Sequence, residues 1–239
     1  MGSTRLAGKV LADIESRPLL WHVVERMKSA KTLEKVIVAT TDRPEDDAID
    51  NLAKKEGWLL YRGSSEDVLD RYYQAAKKFN LGVIVRVVGD CPLIDPLVVD
   101  ICVEKFFEDD CDFISNFFND ESTFPRGLDV RVFSFKALEK SHQKAMMPYE
   151  REHVAPYIFE NRNNEFKIGP TVKAGKDYAG NYRFTVDYPE DLLLIKNIYQ
   201  KFYAPGKIIS AREVIAFLNK NPEFAKVNAE VIQKPYKAS

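Results

Sequence analysis

The stretch Val83-Ile84-Val85-Arg86-Val87-Val88-Gly89-Asp90-Cys91-Pro92-Leu93-Ile94-Asp95-Pro96 is an apolar, β-branched run that stops at a carboxylate and then turns through two prolines. Such a near-continuous Val/Ile run is what a parallel strand covered on both faces requires. Periodicity alone also admits a buried helix, but the flanking Gly82 and Gly89 favour the strand. In open α/β sheets, ligands bind beyond the carboxyl ends of the strands, so Asp90 falls where a nucleotide or a metal would sit. Its oxygens are the hard donors that Mg²⁺ prefers. Capping the turn or the next helix is the plainer use of a single aspartate, and only the rest of the chain can decide between the two.

Other strands alternate with helices around this run. Val36-Ile37-Val38-Ala39 reads as a strand before the polar loop Thr40-Thr41-Asp42-Arg43-Pro44, and Pro44 opens a helix with acids in its first turn. Trp58-Leu59-Leu60-Tyr61 is a further strand that runs into Arg62-Gly63-Ser64-Ser65-Glu66-Asp67, followed by a helix face of Val68, Leu69, Tyr72, Tyr73 and Ala76. A helix from Pro18 to about Ala30 precedes them, and another follows Pro96 to about Glu108. Repeated β-α units imply a right-handed, largely parallel sheet. With 239 residues the chain suits one α/β domain spanning 1–239.

Charge and cysteine usage narrow the chemistry. Thirty-five Lys+Arg against thirty-six Asp+Glu leave a net charge of -1, which argues against a generally basic nucleic-acid surface but allows a local phosphate site. Cys91, Cys102 and Cys111 lack the paired short spacings of structural zinc, and their odd number does not suggest a disulfide framework. A reducing, cytoplasmic location is the expectation, with no membrane span and no signal peptide.

One local phosphate site is suggested by Met1-Gly2-Ser3-Thr4-Arg5-Leu6-Ala7-Gly8-Lys9. Small residues let backbone N–H groups approach phosphate oxygens, Arg5 can fork onto two of them, and Lys9 supplies a mobile point charge. Val10 stands where a Walker loop needs a hydroxyl. A solvated terminus is the alternative reading.

The second half is less regular. Asp112-Phe113-Ile114-Ser115 and residues 130–133 read as strands, and residues 136–141 and 150–160 as helices. Asp110-Cys111-Asp112 is a D-x-D pattern of the kind that holds metal in glycosyltransferases, although a polar turn explains it equally simply. Arg151-Glu152-His153 could bind an acidic group or merely start a helix. Tyr182-Arg183-Phe184-Thr185-Val186 alternates like a strand into Asp187-Tyr188-Pro189-Glu190-Asp191 and an apolar helix, repeating the order strand, aspartate, proline, helix seen at Asp90. A last helix, residues 211–218, is capped by Ser210.

Taken in order, Gly2 to Leu11, Tyr61 to Ser64 with Asp67 to Tyr73, Gly89 to Pro96, Gly127 to Val130, Arg151 to Val154 and Thr185 to Leu192 resemble the cytidylyltransferases that activate acidic sugars, within the nucleotide-diphospho-sugar transferase superfamily. The nearest branch is the spore-coat polysaccharide biosynthesis protein F group. The resemblance implies an α/β/α three-layer sandwich with a mostly parallel sheet, the nucleotide-diphospho-sugar transferase (GT-A-like) fold. By the same resemblance, Gly2, Ser3, Thr4, Arg5 and Lys9 hold the triphosphate of CTP, with Arg5 and Lys9 also catalytic, and Arg62, Ser64 and Asp67 lie by the nucleotide. Asp90 and Asp187 converge on Mg²⁺. Arg126, Asp129, Arg151 and His153 face the acceptor sugar, with acceptor and dimer elements in about residues 116–180 and a homodimer expected.

The implied reaction is attack of a sugar hydroxyl on the α-phosphorus of CTP, giving a CMP-sugar for surface polysaccharide and pyrophosphate. The alternatives are a glycosyltransferase with its metal at Asp110 and Asp112, and a catalytically silent nucleotide-binding protein. Three departures from the family pattern stand out. Ala7 replaces a usual proline, Arg131 stands where an acidic residue is frequent, and the family's strand and arginine before Gly2 have no counterpart here. The sheet is therefore expected to lack its first, central strand, with an impaired nucleotide site.

Overall fold

The computed structural model describes residues 6–118 and 121–233, so Gly2, Ser3, Thr4 and Arg5 of the expected phosphate loop lie outside the described residues. A small hairpin of β1 (Asp13–Ile14) and β2 (Arg17–Pro18) leads into α1 (Leu19–Lys28), whose Leu19, Leu20, Val23, Val24 and Met27 are buried at helical spacing. Then β3 (Ile37–Thr41), α2 (Asp47–Glu56), β4 (Leu59–Gly63), α3 (Val68–Lys78), β5 (Val83–Arg86) and α4 (Pro96–Glu108) alternate as the sequence predicts. After these come β6 (Phe113–Ser115), the hairpin β7 (Phe117–Phe118) and β8 (Glu121–Ser122), β9 (Arg131–Ser134), α5 (Phe135–Lys144), α6 (Pro148–His153) and α7 (Pro156–Glu160). The chain closes with α8 (Pro189–Phe202), α9 (Ala211–Lys220) and α10 (Pro222–Ala225). Among the described residues no helix is long and apolar enough to cross a membrane.

β3 and β4 pair in parallel from Ile37 opposite Leu59 to Thr41 opposite Gly63. β5, β9 and β6 form a second ladder in which β9 runs against both neighbours, so β5 and β6 share a direction. The sheet is thus mixed at this point. No helix lies between β6 and β9, and an antiparallel partner needs no crossover helix, whereas a parallel one does. β3 and β5 are not hydrogen-bonded to each other, and a cleft of about 800 Å³ lies between them, walled by Val24, Ile37, Ala39, Ile84, Val85 and Val103.

Two expectations for the second half are corrected. The single helix over 150–160 is broken into α6 and α7, because Val154 takes φ 71° and Pro156 follows. Residues 182–186 join no ladder and make one isolated bridge, between Arg126 and Arg183. Their alternation has another cause. The segment lies extended between two loops, with Phe184 and Val186 fully buried, and Phe184 N–H donates to Arg126 O at 2.7 Å while Val186 N–H donates to Asp90 O at 2.8 Å.

The loop after β5 is held from beneath. Arg26, buried on α1, donates to the carbonyls of Ile94 at 2.5 Å, Leu93 at 3.2 Å and Ile209 at 2.8 Å. Burial lowers its pKa, and the three carbonyls are what make a cation tolerable there. Asp95 caps α4 by accepting from Leu97 N–H at 2.9 Å and also accepts from Ala211 N–H at 3.0 Å where α9 begins. Leu93, Ile94, Val98, Ile195 and Leu218 pack beneath, all almost fully buried.

Asp46 ties the end of β3 in a similar way, accepting from Thr40 Oγ1 at 2.6 Å, Thr41 N–H at 2.9 Å and Thr41 Oγ1 at 2.6 Å. Burial alone would raise its pKa, but the hydrogen bonds, those from Thr40 and Thr41 among them, outweigh it and hold the carboxyl far below its usual range. A depressed carboxylate pKa stabilises the fold above about pH 4, the unfolded value, and that contribution is lost as pH falls below it. Asp46→Asn is expected to cost about 1–3 kcal/mol at neutral pH. It should also flatten the dependence of stability on pH below about pH 4, measured by denaturant titration at several pH values. Gly127 gives a second test. It takes φ 96°, and a Cβ there would lie 2.7 Å from the backbone of Phe184 and of Thr185. Gly127→Ala should cost at least the roughly 1–3 kcal/mol of the strained φ, read as a lowered denaturation midpoint.

Candidate functional site

Asp90 follows β5 and Asp187 precedes α8, and three contacts bring them together. Val186 N–H donates to Asp90 O, Thr185 Oγ1 donates to Asp90 Oδ1 at 3.4 Å, and the Lys9 ammonium lies between the two carboxylates, 2.5 Å from Asp90 Oδ2 and 2.8 Å from Asp187 Oδ1. The side chains of Lys9, Asp90 and Asp187 are only 11%, 20% and 9% exposed. Burial works to lower the Lys9 pKa, yet the charge of Asp90 and the hydrogen bonds to both aspartates win, and it is held above its ordinary value.

Each aspartate keeps one oxygen on the scaffold and turns the other toward Lys9. On Asp187 the scaffold oxygen is Oδ2, which accepts from Arg183 Nη2 at 2.8 Å. Arg183 Nε also donates at 2.9 Å to Asp191 Oδ1, and Asp191, fully buried in the first turn of α8, accepts from the N–H groups of Asp187 and Tyr188 with its Oδ2 at 3.0 Å. Asn228 Nδ2 donates to Asp191 Oδ1 at 2.8 Å. Sequence reasoning missed Arg183, Thr185 and Asp191. The signal was available in part: Asp187 and Asp191 stand four apart across a helix start, but an acid in a first turn normally reads as a dipole partner.

The remaining predicted residues are distributed as follows. Asp129 lies near enough to Asp90 for that charge to help raise its pKa, after burial, which is the larger cause. Its Oδ2 accepts from Gly127 N–H at 3.1 Å, and its Oδ1 is buried with no hydrogen-bond partner among the described residues. Arg126 and Arg131 both lie over the Phe117 ring, at 5.3 and 5.7 Å from its centroid. Arg62 is tied to Thr41 O at 2.9 Å, Asp47 at 2.6 Å and Arg43 O at 2.7 Å, all on the connection between β3 and α2. Ser64 Oγ accepts from the N–H groups of Glu66 and Asp67.

Asp67 and Arg151, expected on different ligands, are joined to each other through two guanidinium nitrogens at 2.6 Å. Asp67 also caps α3. His153 borders the cleft between β3 and β5. Asp90 and Asp187 are therefore brought together with Lys9, whereas Arg62, Ser64, Asp67 and Arg151 are anchored among neighbouring loops.

The D-x-D alternative is placed elsewhere. Asp112 precedes β6, at the opposite end of the ladder from Asp90, since β5 and β6 share a direction. Its oxygens accept from Ser134 Oγ at 3.2 Å and Lys167 N–H at 3.0 Å, and the Asp110 side chain is 99% exposed. No group of three or more His, Cys, Asp or Glu suited to a metal occurs among the described residues. Two carboxylates nevertheless fit Mg²⁺, which is commonly held by one or two carboxylates together with substrate phosphates. Burial and the charge of Asp90 push the neighbouring Cys91 thiol well above the ordinary range.

Comparison with known proteins gives the family. The cytidylyltransferase family model matches residues 1–209. Spore coat polysaccharide biosynthesis protein SpsF of Bacillus subtilis is 33% identical over 94% of this chain and 93% of its own. A 3-deoxy-manno-octulosonate cytidylyltransferase of Trichlorobacter lovleyi is 36% identical over a shorter span, 44% of this chain and 41% of its own. The solved structure of a cytidylyltransferase from Leptospira borgpetersenii superposes with a TM-score of 0.85 at 36% identity, covering 98% of this chain and 95% of that one. The α/β chain with its paired aspartates belongs to the cytidylyltransferase family of nucleotidyltransferases.

Proposed function

We propose that the protein transfers CMP from CTP to a hydroxyl of an acidic sugar, with Mg²⁺ held by Asp90 and Asp187, releasing pyrophosphate and a CMP-sugar for surface polysaccharide. The observation that carries this reading is the convergence of those two carboxylates, each braced by the scaffold on one oxygen and presenting the other to the Lys9 ammonium. Two relatives, a spore coat polysaccharide biosynthesis protein and a 3-deoxy-manno-octulosonate cytidylyltransferase, support the acceptor class.

In the transfer, the acceptor hydroxyl forms a bond to the α-phosphorus, the α–β anhydride bond breaks and pyrophosphate leaves. Little covalent help is required, because positioning and charge neutralisation dominate phosphoryl-type transfer. Bound magnesium supplies Lewis-acid neutralisation of the developing phosphate charge. Lys9 adds a cation that can turn from the carboxylates to the triphosphate. Arg183 and Asp191 keep Asp187 in position, and Thr185 does so for Asp90. Arg126 and Arg131, stacked on Phe117 and preceding and following Asp129, offer two guanidinium groups to an acceptor carboxylate. No general base is assigned.

Incubation with CTP, Mg²⁺ and a panel of sugar acids should yield a CMP-sugar by mass spectrometry together with stoichiometric pyrophosphate. A nucleotide sugar that forms without pyrophosphate, or no product with any acid, would sink the reading. Asp90→Asn and Asp187→Asn should each lower kcat/KM by about a hundredfold or more. Because the two act as one unit, the double variant should lose far less than the product of the single losses. Full Mg²⁺-dependent activity in both single variants would rule out the pair.

A further inference from the structure

The position of Lys9 carries a consequence for the order in which this site fills. Its ammonium touches the two oxygens, Asp90 Oδ2 and Asp187 Oδ1, that the aspartates do not commit to Arg183 and Thr185. A magnesium ion bound by the same oxygens would sit at about 2.0–2.1 Å from them. Ammonium and divalent ion thus compete for one place. The competition is strong, because the three side chains are largely shielded from water and a charge here is poorly screened.

The two carboxylates cannot simply turn to another partner. Asp187 is gripped by Arg183, which is itself gripped by Asp191, and Asp90 is held through its own carbonyl by Val186. The lysine stem, by contrast, ends in a point charge on several rotatable bonds and is tied only through its ammonium among the described residues.

We infer that Lys9 is a built-in surrogate cation: it neutralises the Asp90–Asp187 pair in the nucleotide-free protein, is displaced when a divalent ion enters, and then becomes available to the triphosphate. This deepens, and rests on, the assignment of Asp90 and Asp187 as the metal pair. Metal and nucleotide then bind cooperatively. Metal entry frees the lysine for phosphate, a phosphate that captures the lysine vacates the metal place, and the coupling is reciprocal. A metal without nucleotide must expel an ammonium that has nowhere better to go, so the resting protein excludes free divalent ions.

The test is calorimetric titration with Mn²⁺ and with Mg²⁺, without nucleotide, of the 239-residue protein and its Lys9→Met, Lys9→Gln and Lys9→Arg variants. Both neutral variants are expected to bind the metal at least about tenfold more tightly than the parent, and Lys9→Arg, which keeps the charge, should not. The same metal should raise Tm more in the neutral variants than in the parent, because a ligand stabilises in proportion to its occupancy of the folded state. Metal affinity that is unchanged or weaker in both neutral variants, while still abolished by Asp90→Asn or Asp187→Asn, overturns the surrogate role and leaves the metal pair standing. Binding that survives both aspartate substitutions overturns the metal pair itself, and the surrogate role with it.

Discussion

Two carboxylates can share a buried place only if their repulsion is answered, and most of the structure around Asp90 and Asp187 serves that requirement. Lys9 stands between them, and Arg183 stands behind Asp187. Arg183 is in turn placed by Asp191, whose other oxygen takes two backbone N–H groups at the start of α8. Remove the arginine and two buried carboxylates, Asp187 and Asp191, each lose a cationic partner, which costs far more than a surface pair is worth. The fold therefore brings three remote segments to one point: the turn around Lys9, the loop after β5, and residues 183–191. The backbone bond from Val186 to Asp90 closes that meeting without spending a side chain.

What the sequence disclosed follows from how local each signal is. The run over 83–88 could be read as a strand because β-branched residues between glycines carry their preference within a few positions, and the order strand, aspartate, proline, helix made Asp187 visible as the counterpart of Asp90. Lys9 was visible as a cation near small residues, but not as the group lying between those aspartates, since that depends on segments 81 and 178 residues away. Residues 182–186 show the limit. Their alternation is real, with Phe184 and Val186 turned inward, but period two says only that one side is buried, not that a neighbouring strand does the burying. Val154 is similar. A β-branched residue at positive φ is disfavoured locally, so the sequence does not announce the conformation of Val154, and only Pro156 marks the break between α6 and α7.

Charged residues are the least legible of all, because the same side chain can answer a ligand or another side chain. Asp67 and Arg151 were each expected on a ligand, and they meet one another across 84 residues. Asp112 completes a D-x-D pattern and uses its oxygens on Ser134 and on the backbone of Lys167. The distinction lies in what each oxygen meets. Both oxygens of Asp112 are engaged by neutral donors of the scaffold, whereas Asp90 and Asp187 each turn one toward the Lys9 ammonium.

Asp129 completes the electrostatic argument. It lies close to Asp90, and burial together with that neighbouring charge pushes its pKa up. Gly127 N–H donates to its Oδ2, and its Oδ1 is buried with no hydrogen-bond partner among the described residues. The site therefore separates its acids by environment. Asp90 and Asp187, each close to a cation, are kept for charge that must be matched by charge. Asp129 instead sits in a buried place backed by Gly127, a position so near Phe184 and Thr185 that only a residue without a side chain fits it. The tight approach of that glycine to the segment before Asp187 is what sets a third carboxyl beside the pair.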